Sequence, residues 1–395
     1  MQDHSNLHVL HVVRDLDRTS GGPSRSVPAL ASHLAACDHM QRVSLVYQDR
    51  GAATTIDDYY QTTNLDAFGV AKPAVGWSHM RRQVAEINDR LPIDVIHLHG
   101  IWSPTLHAVA KFARQCRIPY VVAPRGMLSQ WCIGSKSIRK KLAWTLYQSR
   151  DLQNASRIHV TSQAEANDVA ELGVRPHCQI IPNGCELPTE EGGRTEGVQI
   201  EGSMLPAEGR WAVSIGRIHP VKGFAELVDA WHRVQPQGWR LLIAGPDEVG
   251  YFAQLKERID ALGLSDSIVI RGAVSNDEKW QLLAQAELFL LASHSENFGI
   301  VIAEALASAT PVVATQGTPW QELDSNRCGW WVPTTPDGLA GGLSEAVETS
   351  ASELALMGDR GRRLILENYA WQQQAIKTVQ MYRRILENES SRRVH

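Results

Sequence analysis

Two carboxylates that bracket seven residues, Glu296 and Glu304, stand in the segment Ser295-Glu296-Asn297-Phe298-Gly299-Ile300-Val301-Ile302-Ala303-Glu304-Ala305-Leu306-Ala307. A largely apolar run, Ala286-Glu287-Leu288-Phe289-Leu290-Leu291-Ala292-Ser293, precedes them, and Thr310-Pro311-Val312-Val313-Ala314-Thr315 follows. Both runs read as buried strands. They put the acids at the carboxyl edge of a sheet, where open α/β proteins bind ligands. Gly299 allows a tight entry into a helix, and Glu304 falls about one turn inside it. A helix start leaves backbone N–H groups unpaired and carries positive dipole character, so it holds an anion. A carboxylate one turn further in accepts hydrogen bonds from a vicinal diol. An anion, a diol and a second carboxylate for hydroxyls together describe a pocket for a nucleotide sugar. The plain alternative is two acids on a solvated helix face, and the flanking buried strands argue against it.

A second constellation is Ser214-Ile215-Gly216-Arg217-Ile218-His219-Pro220-Val221-Lys222-Gly223. A strand ends in Gly-Arg, a short loop follows, and Lys-Gly starts a helix. Arg217 and Lys222 can meet a nucleoside diphosphate as it departs. Cations held ready where charge develops lower a barrier directly. Arginine forks onto phosphate oxygens, while lysine acts as a point charge. The ordinary alternative is a pair of surface cations on a strand-to-helix loop.

In the first half, Gly21-Gly22-Pro23-Ser24 precedes a helix, and Gly22 can bring its backbone close to a phosphate or a sugar. Asp94-Val95-Ile96-His97-Leu98-His99-Gly100-Ile101-Trp102-Ser103 puts His97 and His99 on one side of a strand, with His99 at its end. His97 reads as a buried, satisfied histidine. Trp102 offers an aromatic platform for a sugar, with core packing as the alternative. Arg125, in Pro124-Arg125-Gly126-Met127, ends the next strand and can reach an anionic acceptor. Ile181-Pro182-Asn183-Gly184 reads as a turn.

The two motifs of the second half resemble the E-x7-E and G-R-x4-K-G motifs of retaining glycosyltransferases of the GT-B fold, glycosyltransferase family 4. The resemblance implies an α/β protein of two Rossmann-like domains facing across a deep cleft, with a C-terminal helix crossing back to the first. It implies transfer of a hexose from a nucleoside-diphosphate sugar to a glycan or polyprenyl-linked glycan, as in cell-surface polysaccharide synthesis. Glu296 and the N–H groups around Asn297, Phe298 and Gly299 would hold donor hydroxyls. Glu304 would take the ribose diol, Arg217 and Lys222 the diphosphate, and the loop from Arg271 to Val274 the base. The resemblance makes His99 the first-domain histidine near the transferred sugar, and places Gly22 beside the donor diphosphate. At Arg125 the family often shows a histidine, so this chain departs from the pattern there. The departing phosphate oxygen would take the acceptor proton, so no protein nucleophile is needed. No cofactor and no metal are expected: Asp15-Leu16-Asp17 spells a D-x-D motif by chance. A sugar-nucleotide epimerase of the same fold and a non-catalytic nucleotide-sugar-binding protein are the alternatives.

The elements that would position these residues alternate strand and helix throughout, which means parallel sheets covered on both faces. The expected strands lie near 8–13, 42–47, 94–99, 119–124, 157–162 and 178–182, then 211–216, 240–245, 268–271, 287–292 and 311–315. The boundaries expected are 1–187 for an acceptor-side domain, with 372–395 returning to it, 188–209 for a linker, and 210–371 for a nucleotide-sugar domain. The last helix carries an apolar stripe at Ile376, Val379, Tyr382 and Leu386.

A chain of 395 residues exceeds one ordinary core. Its 43% hydrophobic and 21% charged content is that of a globular protein, and a net charge of -4 leaves no global footprint for nucleic acid. Six scattered cysteines without a C-x-x-C pair fit reduced thiols and a cytoplasmic setting. No signal peptide or membrane span is expected. Trp131, Lys136, Arg139, Lys140, Lys141, Trp144 and Tyr147 mix basic and aromatic residues around one helix. That mixture suits peripheral contact with an anionic membrane at its inner face, or a lipid-phosphate acceptor.

Overall fold

In the computed structural model the described residues are all but 1–5, 18–20, 52–53, 57–63, 72–77, 130–136, 189–198, 201–202, 205–208, 248 and 395. The chain forms two compact units, residues 1–184 with 371–395, and residues 185–370.

The first unit is built on seven strands. They are β1 (Leu7–Val13), β2 (Met40–Asp49), β3 (Leu65–Ala71), β4 (Val95–His99), β5 (Tyr120–Ala123), β6 (Arg157–Val160) and β7 (Cys178–Ile180). Their order is β3-β2-β1-β4-β5-β6-β7, with every neighbouring pair parallel. The order reverses between β1 and β4, the kind of switch point at which such sheets leave a crevice. All residues of β1, β4 and β5 are buried, as the near-continuous apolar runs require of strands covered on both faces. Strand β3 was not anticipated. Gly69 and the half-exposed Asp66 interrupt its apolar pattern, which is tolerable at a sheet edge.

The helix Trp371–Val394 returns to this unit and packs against the helix Pro23–Ala35. Its buried face carries Trp371, Ala375, Val379, Tyr382 and Leu386, against Val27, Leu30 and Leu34. The expected stripe needs one correction: Ile376 is 47% exposed and Ala375 takes its place. Steps of three and four back from Tyr382 reach 379, 375 and 371, and residue 376 stands about 100° round the helix from 375. The Trp371 indole lies directly over Gly184, where a Cβ would come within 2.2 Å of the ring. That contact explains the glycine of the expected turn.

The second unit holds an antiparallel pair of two-residue strands, β8 (Gln199–Ile200) and β9 (Ser203–Met204), and a parallel sheet. The sheet strands are β10 (Arg210–Ile215), β11 (Trp239–Ala244), β12 (Ile268–Arg271), β13 (Leu288–Leu291), β14 (Val312–Thr315) and β15 (Gly329–Val332), in the order β12-β11-β10-β13-β14-β15. Most of the expected linker, 188–209, lies outside the described residues. Strand β15 and the helices Pro336–Glu348 and Ala351–Asn368 were not anticipated. The first of these helices has an ordinary start: Thr335 caps it by accepting from the N–H of Gly338, and a proline follows. Gly341 and Gly342 mask it. The latter lets the helix approach β15 closely, since a Cβ there would sit 2.5 Å from Val332. The two-unit parallel α/β architecture and the returning C-terminal helix agree with the GT-B expectation.

Candidate active site

In the second unit the expected residues gather where β10 and β13 end. Beyond β10 the chain passes Gly216 and the exposed Arg217, then makes a single tight turn at Pro220–Lys222. Gly223 follows with φ +66°, in the left-handed region, and starts the helix Phe224–Val234. A Cβ on Gly223 would lie 2.0 Å from the Ala292 carbonyl oxygen, so the loops after β10 and β13 touch through bare backbone. The N–H of His294 donates to the Val221 carbonyl at 2.9 Å and fastens the same contact.

That closeness delivers the Lys222 ammonium to the Glu296 carboxylate, forming an ion pair. Both side chains are largely buried, at 14% and 13% exposure. The Ser293 hydroxyl donates to the same carboxylate oxygen at 2.9 Å, and the Glu296 N–H donates to the Gly317 carbonyl at 2.8 Å. Gly317 is a second position where only backbone fits, because a Cβ would meet the Ser293 oxygen at 2.2 Å. Ser293 and Gly317 were missed by sequence reasoning. Their types are ordinary; Ser293 meets Glu296 through the turn of their shared loop, and Gly317 through the neighbouring strand β14.

Asn297 is half-buried and Phe298 is buried, its ring 5.3 Å from Trp320 and 5.8 Å from Tyr369. The Trp320 indole N–H donates to the Phe298 carbonyl. This anchor sets the loop so that Gly299, at φ +77°, starts the helix Ile300–Ala307. Glu304 lies one turn inside, paired with the ammonium of Lys279, another residue the sequence reading did not pick out. At the end of β12, Arg271 donates to Glu278 at 2.8 Å, while its Nη1 is buried with no hydrogen-bond partner. Val274 packs on the core of this unit. The second unit thus offers two lysine-neutralised carboxylates, a helix start between them in sequence, and two arginines at strand ends. That set suits hydroxyls and an anion.

The first unit contains a different arrangement. Arg125 is buried in the left-handed region at φ 57° and donates to Asn183 at 2.7 Å and to Nδ1 of His99 at 3.0 Å. His99 Nε2 lies 2.9 Å from His11 Nδ1, and His11 Nε2 lies 3.4 Å from the Tyr382 hydroxyl. That hydroxyl is 2.7 Å from His97 Nδ1. His97 Nε2 is 3.2 Å from His159 Nδ1, and His159 Nε2 is 2.8 Å from the Ile181 carbonyl. The ends fix the direction: Arg125 only donates and a carbonyl only accepts. Every histidine in the row therefore carries its proton on Nε2, and each link has one donor and one acceptor.

This assignment needs all four imidazoles neutral, and burial enforces that. Burial first, and Arg125 after it, pull His11 and His159 down to about 3. Burial, with neighbouring imidazoles next, holds His97 and His99 well below the ordinary value. Burial also brings Arg125 down to about 10, so it stays charged. Ring nitrogens of His11, His97 and His99 come within 4.8 Å of one another, a spacing a metal ion could use. In this chain those nitrogens are committed to the row, and the Arg125 cation sits against one end of it. The donor set therefore fits a hydrogen-bonded core better than a metal centre.

A pH prediction follows. The unfolded chain binds protons at its histidines below about pH 6.5, while in the folded row His11 and His159 resist them to about pH 3 and burial holds His97 and His99 neutral well below the ordinary value. The row's stabilisation is complete above about pH 6.5 and is lost as pH falls below it. Calorimetry should show the first unit's transition moving down in this window. Tyr382→Phe, which strands His11 and His97, should lower it at neutral pH by about 1–3 kcal/mol. A transition unmoved by both changes would contradict the assignment.

A cavity of about 660 Å³ in this unit is lined by His99, Trp102 and Met127, with the cations Arg14, Arg50 and Lys140. Trp102 holds φ 67°, uncommon for a bulky residue, and is pinned there. Its N–H donates to Gln148 at 2.8 Å, its indole N–H to the Met127 carbonyl at 3.2 Å, and its carbonyl accepts from the Tyr147 hydroxyl at 3.0 Å. His99 reaches the cavity only at its edge, being 2% exposed. Arg125 points inward along the histidine row. Gly22 precedes the helix Pro23–Ala35 at φ −43°, with nothing within 4 Å of a would-be Cβ. Asp15 is nearly buried and 3.1 Å from Arg50. Arg14 and Arg50 are cavity residues that the sequence reading did not single out.

Among known proteins, the description "Glycosyl transferases group 1" matches residues 199–364 and "Glycosyl transferase 4-like domain" matches residues 21–184. A GDP-mannose:cellobiosyl-diphosphopolyprenol alpha-mannosyltransferase of Xanthomonas campestris is 27% identical, over 89% of this chain and 88% of that protein. An MMP alpha-(1->4)-mannosyltransferase of Mycolicibacterium hassiacum is 27% identical over 63% of this chain and 59% of its own length. Among solved structures, sucrose-phosphate synthase of Thermosynechococcus elongatus superposes with a TM-score of 0.76 at 18% identity, covering 97% of this chain and 100% of that one. Anabaena Alr3699/HepE, in complex with UDP and glucose, gives 0.71 at 20% identity, covering 98% and 100%.

Proposed function

We propose a donor, an acceptor and a mechanism for this chain, which belongs to the group 1 glycosyl transferases and is a hexosyltransferase. The donor is a nucleoside-diphosphate hexose, GDP-mannose first among them, and the acceptor a glycan carried on a polyprenyl diphosphate. The Xanthomonas relative's name supports both choices, and the Mycolicibacterium relative's name supports mannose as the sugar. The observation that carries the reading is the meeting of Lys222 with Glu296 at the end of β10 and β13. Glu296 receives sugar hydroxyls, and Lys222 with Arg217 meets the diphosphate. Glu304 takes the ribose diol. The unpaired Nη1 of Arg271 supplies a donor beside the base loop that ends at Val274. In the first unit, the cavity beside His99 and Trp102 takes the acceptor, whose phosphates suit Arg14, Arg50 and Lys140.

Transfer proceeds with retention. The glycosidic bond to the leaving phosphate breaks, the acceptor oxygen bonds to the anomeric carbon on the same face, and the departing phosphate oxygen takes the acceptor proton. The protein's part is to stabilise the charge that grows on the diphosphate. Side-chain cations do this, so EDTA should leave most of the activity. Complete loss with EDTA, restored by Mg²⁺ or Mn²⁺, would overturn this part. The whole reading is tested with a panel of nucleotide sugars. GDP-mannose should raise the melting temperature and yield an α-linked product on a diphosphopolyprenol-linked sugar. A shift with none of the panel would contradict it. Among the described residues no helix is long and apolar enough to cross a membrane. The polyprenyl-linked acceptor proposed here would put the place of work at the inner membrane face, reached peripherally.

A further inference from the structure

The helical stretch from Ser137 to Gln153 has two unlike faces. It runs as an α-helix over Ser137–Ala143, a wider π turn over Trp144–Gln148, and an α-helix over Ser149–Gln153. One face is fixed to the unit. Gln148 and Tyr147 hold the Trp102 backbone, the Trp144 ring lies 6.2 Å from that of Trp102, and Lys140 lines the cavity. The aromatic residues of this helix therefore point inward, although composition alone had suggested them for a membrane. Of the basic trio only Arg139 and Lys141 are exposed on the outside. Trp131 and Lys136 lie outside the described residues.

The other face shows Ile138, Leu142 and Leu146, at 82%, 59% and 67% exposure. They stand four residues apart, so they form one stripe along the helix. Among the described residues, none of the other exposed large apolar residues repeats at one-turn spacing on a single helix. Arg139 and Lys141 fall on opposite flanks of the stripe, about 100° and 60° from Ile138 on a regular helix. An apolar stripe edged by cations, lying on a helix whose back is anchored, is the form of an interfacial helix.

We propose that this outer face rests on an anionic lipid bilayer. Ile138, Leu142 and Leu146 enter the boundary between headgroups and acyl chains, and Arg139 and Lys141 lie among anionic headgroups. The proposal deepens the reading of a lipid-linked acceptor, for Lys140 on the inner face belongs to the cavity assigned to that acceptor. It is nonetheless measurable apart from transfer.

The test is sedimentation of the full chain with vesicles of phosphatidylcholine, alone or mixed in equal parts with phosphatidylglycerol. The wild type should bind the mixed vesicles and bind the neutral ones far less. Leu142→Ser with Leu146→Ser should weaken binding by about tenfold or more. Arg139→Gln with Lys141→Gln should weaken it roughly fivefold per charge removed and flatten its salt dependence. Both variants should keep the wild-type melting temperature and the shift produced by a nucleotide sugar. Wild-type failure to bind mixed vesicles, or unchanged binding by the leucine variant, would overturn the proposal. Charge-independent binding to neutral vesicles would overturn it as well. Vesicle binding of the expected kind, with no transfer to a lipid-linked sugar, would support this surface and reject the acceptor reading instead.

Discussion

Lys222→Ala should lower kcat/KM by roughly 10²–10³-fold, the scale on which losing one preorganised charge stabiliser is felt. The lysine faces two tasks. Before the donor arrives it neutralises Glu296, and during transfer it meets the charge growing on the diphosphate. Removing it leaves a largely buried carboxylate with the Ser293 hydroxyl, so some stability should be lost as well, and a melting curve separates that loss from the loss in turnover. Lys222→Arg keeps the charge but not its compact shape, and should fall between wild type and alanine. Arg217→Ala should act in the same direction, through the diphosphate alone. Steady-state kinetics with the donor varied, and a melting curve for each variant, make the check. Near wild-type turnover in Lys222→Ala and Arg217→Ala would remove both from the reaction.

Gly223→Ala should be severely damaging for a single methyl group in the second unit's site. The residue is left-handed at φ +66°, which costs a non-glycine residue about 1–2 kcal/mol. The new carbon would also lie 2.0 Å from the Ala292 oxygen, and backbone on both sides leaves little room to yield. Overpacking of this kind adds about 1–3 kcal/mol. A loss on the order of 3 kcal/mol in chemical denaturation is expected, with Lys222 and Glu296 drawn apart and activity falling alongside. Ser293→Ala is the contrast: it removes one hydrogen bond to Glu296 without moving the backbone, and should cost far less stability. Equal stability of Gly223→Ala and the wild type would mean that the two loops are not in contact.

The residues that could be read in advance share one property. Glu296, Gly299, Lys222 and Gly223 lie at strand ends, and a strand followed by a glycine and a helix can be recognised locally. Their partners could not be read. Lys279 reaches Glu304 from another helix, Gly317 meets Glu296 only because β13 and β14 are neighbours, and Ser293, three residues before Glu296, meets it only through the way that loop turns. The histidine row shows the same limit more sharply. Its members come from residues 11, 97, 99, 159 and 382, and only the sheet order with the returning helix sets them in line. The short strand β15 went unread for want of local cues, while the helix Pro336–Glu348 was hidden by Gly341 and Gly342 although Thr335-Pro336 marks its start, and tertiary packing decided both forms. Ile376 was misplaced for a finer reason: steps of three and four allow two paths along a helix, and the burial of Ala375 selects between them.

The chain passes between its two units twice, at 184–185 and at 370–371, and the two passages run side by side, with the N–H of Cys185 donating to the Tyr369 carbonyl at 2.7 Å. The second unit is thus one uninterrupted stretch, whereas the first is closed by a helix that leaves the ribosome after the whole of the second. Until then β1, β4 and the helix Pro23–Ala35 expose the apolar face that Trp371, Val379 and Tyr382 will cover, and His11 and His97 lack the hydroxyl that joins them. During synthesis the later unit can complete its fold while the earlier one waits. The second unit can therefore mature before the first, although the first begins earlier.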